Sequence, residues 1–270
     1  MVTGLNLGIT ASGNFTSAAA TGLAAVDPDH SYYLTKTSYS TSESSTNAMT
    51  VAFWMKFDDT QTVGEQTQFR FQNSSGDILF LLRNNSTGGG QFASNGGFRF
   101  GIVDGSWRTD ILFDASAVHG DGNWHHIMYA KNNTTHYAYL DGSTSMPPFV
   151  NSYNSYNSSG NYTTFNDYDT GVILAESTGG ANQMENAITQ LYIENTFIDI
   201  SNSTNRAKFY DGGAVDMGTD GTGTGLVQPL HFFVGGLSDF KTDGGTVGTS
   251  WTENGTGIDV AAADGPQFGT

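Results

Sequence analysis

Cysteine is absent from the 270 residues. That removes disulfides, thiol catalysis and cysteine-ligated zinc, and it fits a chain not assembled along an oxidising secretory route. Basic residues are scarce: ten Lys and Arg stand against twenty-six Asp and Glu, a formal charge of −16. Phosphate backbones and anionic lipid repel such a chain, so it reads as binding neither nucleic acid nor a bare membrane surface. Solubility, a calcium-dependent surface and a saline environment all account for the same charge. No apolar run approaches the ~20 residues that a membrane-crossing helix needs. The opening, Met1 to Gly8, has neither the basic start nor the apolar stretch of a signal peptide. An exported destination is therefore expected only by another route, such as cell lysis or assembly into a particle.

Proline is rare, with five residues, while glycine, with 35, is about twice its usual share. Aromatics make up 13% of the chain. Many strands joined by tight turns, with little helix, have this composition. A β domain of this length buries roughly 70–75% of the surface its unfolded chain exposes, so its core needs no cross-link. The Asn-x-Ser/Thr triplets at Asn85, Asn133, Asn161 and Asn202 follow from a composition rich in those residues.

Residues 1–30 are rich in Gly, Ala, Ser and Thr up to the turn Asp27-Pro28-Asp29, and are expected to form an N-terminal arm with little to bury. Residues 31–270 read as one unit without a clean internal boundary or fixed-period repeat. Strands are predicted at Tyr32–Lys36, Met49–Phe57, Phe69–Gln72, Ile78–Leu82, Phe98–Ile102, Ile111–Phe113, Gly171–Ala175 and Ala187–Ile193, from apolar alternation and turn spacing. One or two helical turns are predicted at Ser203–Tyr210, from a Ser/Thr cap and late basic residues. The Gly/Thr-rich extension from about 211 to 270 carries one buried strand, Leu230–Val234, and points pinned at Trp251 and Ile258–Val260.

The stretch Asp121-Gly122-Asn123-Trp124-His125-His126, continued by Ile127-Met128-Tyr129-Ala130, reads as a strand, with a second at His136-Tyr137-Ala138-Tyr139-Leu140-Asp141-Gly142. Trp124, His126 and Met128 alternate with His125, Ile127 and Tyr129, so one set faces a core and the other the opposite face. Asn132-Asn133-Thr134-Thr135 is turn chemistry, since Asn tolerates left-handed backbone.

This hairpin resembles the laminin-G-like branch of the concanavalin A-like jelly rolls. Two further blocks add to the resemblance: Tyr33-Leu34-Thr35 followed by Met49–Lys56, and Glu185–Ile193, where Asn186 and Thr189-Gln190 depart from the glycine and acidic pair usual there. The resemblance covers roughly residues 32–210 and implies an all-β, two-sheet antiparallel jelly-roll sandwich whose business is binding. Phe197-Ile198-Asp199-Ile200 and Phe209-Tyr210-Asp211-Gly212-Gly213 make it narrower, since they resemble laminin-G-like proteins of bacteriophage virions. That implies a non-enzymatic structural component at the particle surface (capsid decoration, head fibre or tail-associated). It would be a homo-oligomer, partnered by other virion proteins and by host cell-surface glycan. A free-standing lectin-like adhesin and a glycan hydrolase or lyase are the alternatives.

For catalysis, a retaining glycosidase places two carboxyl groups ~5–5.5 Å apart, whereas Glu185, Glu194 and Asp199 are spaced too widely for one strand face. His125 and His126 point to opposite faces and cannot share a metal. One is expected at the core edge, bonded to backbone, and the other exposed. No zinc-binding helix or serine elbow occurs. The residues ask for no cofactor. A calcium ion at the sandwich rim is what the resemblance allows, with Asp27, Asp29, Asp58, Asp104 and Asp141 as available turn carboxylates, but no loop motif singles out a ligand set. Solvated turn aspartates are the other reading.

Residues 151–169 interleave Tyr with Ser, Asn and Gly, the composition of adaptable binding loops. Tyr153, Tyr156, Asn161, Tyr162 and Tyr168 are the candidate contacts for a glycan or receptor, with Trp107 a further one. A contact between subunits, or packing of a long connection on its own sandwich, would use the same tyrosines.

Overall fold

The structure is a computed structural model. It describes residues 22–37, 48–57, 65–76, 78–84, 97–104, 107–118, 120–133, 135–146, 148–149, 168–248 and 251–269. Among the described residues sixteen strands form two antiparallel sheets. The first runs β10 (Thr144–Ser145), β9 (Thr135–Leu140), β8 (Trp124–Asn132), β3 (Ala48–Lys56), β13 (Ile188–Glu194), β1 (Ala25–Asp27), β16 (Ile258–Val260), with β14 (His231–Phe233) also paired to β13. The second runs β11 (Pro148–Phe149), β7 (Trp107–Phe113), β6 (Phe98–Asp104), β5 (Ile78–Asn84), β4 (Glu65–Gln72), β12 (Thr170–Ile173), β2 (Tyr33–Thr37), β15 (Thr252–Asn254). Helix is confined, among the described residues, to one 3₁₀ turn and two single turns, α1 (Ser203–Arg206) and α2 (Leu237–Phe240). The all-β jelly-roll expectation holds.

Alternation explains the layering. Phe53 and Met55 of β3, Phe69 and Phe71 of β4, Phe98 and Phe100 of β6, and Ile127 and Tyr129 of β8 meet in one core between the sheets. The opposite face of the first sheet is covered as well. Ala52, Met128, Ala130 and Tyr192 form a second core with Ile200, Phe209, Met217, Leu226 and Phe232 of the later chain. A strand buried on both faces reads as a continuous apolar run, and β3 (AMTVAFWMK) does so.

The cover is pinned by polar contacts. Arg206 donates from Nε to Gly142 O and from Nη1 to Ile200 O and Ser201 O, each at 2.8 Å, with its guanidinium 4.2 Å from the Tyr139 ring centroid. Trp124 Nε1 donates to Asp264 O at 2.7 Å. The α1 cap is Asn202, whose side chain accepts from Thr204 N, rather than the Ser/Thr expected.

Two sequence expectations change. Ala25 and Val26 are buried and pair with β16 and β13, so the segment from Gly22 onward belongs to the sandwich rather than to an arm; residues 1–21 lie outside the described residues. Both hairpin histidines are buried, His125 at 9% and His126 at 1% exposure, because the second core covers the face on which one was expected to be exposed.

Candidate functional site

On β4, Phe69 and Phe71 point inward, which turns Arg70 and Gln72 outward. Register sets Val172 opposite Arg70, and Thr170 opposite both Gln72 and Thr37, so β2, β12 and β4 build one outward floor. Gly171 faces the other way, where a Cβ would lie 2.5 Å from the Trp251 ring; glycine lets that indole pack against the strand.

Two turns wall the floor. Asn73 Oδ1 accepts from Ser75 N at 3.0 Å, and Gly76 at φ 89° closes this turn. Asp169 ties it to β12: its N donates to Gln72 O at 2.9 Å and its Oδ2 accepts from Ser74 N at 2.5 Å. The second turn, after β12, starts at Leu174 with φ 68° and is closed by Glu176 N to Ala181 O at 2.7 Å. Glu176 Oε1 accepts from Arg70 Nη1 at 3.2 Å and its Oε2 accepts from Asn182 Nδ2, while Arg70 Nη2 donates to Gln72 Oε1 at 3.3 Å.

The result is a cleft of about 470 Å³ between Thr37, Arg70, Asn73, Asp169, Glu176 and Thr178. Apart from Val172, its groups are charged or hydroxyl- and amide-bearing. Such a surface can exchange hydrogen bonds with a hydroxyl-rich ligand at little ordering cost. Among the described residues the lining contains neither histidine nor an aromatic ring.

A second polar constellation lies at the start of the Trp124 hairpin. His125 Nδ1 meets Asp141 Oδ2 at 2.6 Å, and its Nε2 meets Asp121 Oδ2 at 2.9 Å. Asp141 Oδ1 also accepts from His126 N at 2.8 Å. Burial alone would lower the His125 pKa, but the bonds to Asp141 and Asp121 outweigh it and the pKa is raised. The group fastens one strand to the next turn.

None of the sequence candidates is among the described residues that line this cleft. Tyr153, Tyr156, Asn161 and Tyr162 lie outside the described residues, as does Asp58. Tyr168 is 1% exposed, its ring 5.9 Å from that of Phe71, so this tyrosine serves the core and is not presented to a ligand. Trp107 is the first residue of β7, paired with Asp104 at the end of the β6–β7 hairpin; its side chain lies outside the described residues. Of the aspartates considered for calcium, Asp27 accepts from Asp29 N and Asp141 is engaged by the two histidines. Among the described residues no group of three or more His, Asp or Glu is placed to hold a metal ion. Sequence reading missed Arg70, Gln72 and Glu176. The signal for the first two was the Phe-Arg-Phe-Gln alternation, which sends both polar side chains to the outer face.

No family model matches the chain, and no curated protein matches it. Solved structures do. A putative carbohydrate binding protein from Bacteroides ovatus superposes with a TM-score of 0.53 at 10% identity, covering 92% of this chain and 62% of that one. Mouse laminin α1 domains LG4-5 give 0.45 at 12% identity, with 67% of this chain and 45% of that one covered. The Ruminococcus gnavus sialidase CBM40 with bound α2,3-sialyllactose gives 0.40 at 12% identity, with coverages of 58% and 80%. The first two matches span less than two thirds of the other protein's length. The chain thus shares a two-sheet antiparallel sandwich with the putative carbohydrate binding protein, and at 10% identity the likeness is one of fold.

Proposed function

We propose that this chain is a glycan-binding domain that holds its ligand in the cleft on the outer face of β4, β12 and β2. The observation that carries the reading is the Gln72–Arg70–Glu176–Asn182 network beside Asp169, on a surface whose other described groups, Val172 apart, are hydroxyls and amides. The similar fold of a putative carbohydrate binding protein supports it. Tyr153, Tyr156, Asn161 and Tyr162 stand within 16 residues before Asp169 in sequence, and belong to the proposal as ligand contacts, the tyrosines for aromatic area and Asn161 for hydrogen bonds. The test is glycan-array screening followed by calorimetry on Arg70→Ala. Losing a charged hydrogen-bond donor is expected to weaken binding about tenfold or more. The melting temperature should hardly move, because a partly exposed ion pair is worth about 0–1 kcal/mol. Unchanged affinity in the variant would remove the cleft from the reading.

A second reading, in which the chain is a component at the surface of a virus particle, is carried by the sequence pattern over Phe197–Ile200 and Phe209–Gly213. In this reading the domain is a homo-oligomer held to other virion proteins through residues 1–21. Its test is the solution mass with and without those residues, a truncation that leaves β1 intact. An oligomer lost on truncation is expected; a monomer in both forms would end this reading.

A further inference from the structure

We propose that the cleft selects neutral sugars and rejects acidic ones, an inference that rests on the reading of this cleft as a glycan site. Among the described residues its lining holds one cation, Arg70, and two carboxylates, Asp169 and Glu176, for a formal charge of −1. The cation is already committed. Arg70 donates from Nη1 to Glu176 at 3.2 Å and from Nη2 to Gln72 at 3.3 Å. Glu176 is in turn held from its other oxygen by Asn182, so the pair is braced from behind rather than free to swing apart.

An acidic sugar would have to draw Arg70 away from Glu176 while placing its own carboxylate or sulfate among two like charges. The chain as a whole, at −16, offers it no compensating field. A neutral sugar meets the opposite situation. Its hydroxyls donate to Asp169 and Glu176 in charge-assisted bonds, and accept from Arg70 and Asn73, without breaking the network. Thr37, Ser74, Thr170 and Thr178 complete a lining of uncharged partners suited to the rim of a sugar ring.

The test compares matched pairs on the intact chain: neutral oligosaccharides and the same structures carrying sialic acid, a uronic acid or sulfate. Each acidic member is expected to bind at least about tenfold more weakly than its neutral counterpart, the effect of roughly one like-charge contact at low effective dielectric. The double variant Asp169→Asn, Glu176→Gln keeps the shapes, removes both negative charges and releases Arg70, so it should narrow that gap about tenfold. Acidic sugars that bind better than neutral ones, with binding still lost in Arg70→Ala, would overturn the selectivity and leave the glycan site standing. A gap that persists in the double variant would overturn it too. No binding of any sugar, or binding indifferent to Arg70→Ala, would take down both proposals together.

Discussion

Replacing Asp243 with alanine should cost about 3–5 kcal/mol, the range for removing a buried carboxylate on which several other buried polar groups depend for their hydrogen bonds. The carboxylate is fully buried and makes four contacts. Its Oδ1 accepts from Phe232 N and Gly245 N, both at 2.9 Å, and its Oδ2 meets His231 Nδ1 at 2.5 Å and Trp251 Nε1 at 3.4 Å. His231 is stacked on Phe71 of the other sheet, 5.2 Å between centroids, so the pair joins the C-terminal extension to the core between the sheets. Burial would raise the Asp243 pKa, but the charge and hydrogen bond of His231, with the two backbone amides, outweigh it and hold the carboxyl below its ordinary value. With the folded pKa depressed, this contribution is present above the unfolded carboxylate pKa and is lost as pH falls through the folded one. Alanine leaves the imidazole, the indole N–H and two amides without this acceptor. A fall in melting temperature on the order of 10 °C is expected. Asp243→Asn, which keeps an acceptor for the amides, should lose about half as much. Chemical denaturation that places the alanine variant within about 1 kcal/mol of the parent would show that the pair does not anchor the extension.

The second large effect is an acid limb set by two histidines. His126 is 1% exposed, with Trp54 and Tyr210 rings at 5.0 and 5.9 Å, and its Nδ1 has no hydrogen-bond partner among the described residues. Burial pushes its pKa down to about 3, against a smaller upward pull from Asp141. His136 is pushed down to about 4, by burial and then by the charge of Lys131. Both are neutral in the fold and have an ordinary pKa near 6.5 once unfolded. Their depressed values stabilise the fold only above that pKa, and below it the unfolded chain takes up two more protons. Each proton costs about 1.4 kcal/mol per pH unit, so stability should fall by about 5 kcal/mol between pH 6.5 and 4.5.

His125 has the opposite sign. Its raised pKa contributes stability that is complete below the unfolded histidine value and fades as pH rises through the folded one, so it adds nothing further as the acid limb develops. Carboxylates, with ordinary pKa values of about 3.9 and 4.3, titrate only at the acid end of this window. Urea titrations at the two pH values are the measurement. His126→Gln combined with His136→Gln should flatten the pH difference whatever it does to absolute stability. Equal parent stability at both values would sink the account.

The sequence by itself determined most of the strand content and the turns between neighbouring strands. Period-two alternation over Met49–Phe57 and Trp124–Ala130 produced β3 and β8. Asn133, at φ 53°, made the turn between β8 and β9 that its residue type announced. Leu230–Val234 supplied the buried β14. These features are local, and the energies behind them act between near neighbours in the chain.

What covers each face of a strand is not local. Alternation divides side chains into two sets without saying that both will be buried, so the second core, and with it the burial of His126, was decided only when residues 197–232 folded across the first sheet. The same holds for β1, whose three residues gain their burial from β13 and β16 rather than from any apolar run of their own. The cleft is the extreme case. Arg70 and Glu176 stand 106 positions apart and meet because β12 pairs with β4 in a register that sets Val172 beside Arg70. A register between distant strands is a property of the whole packed sheet, and one residue of slip would turn Arg70 into the core.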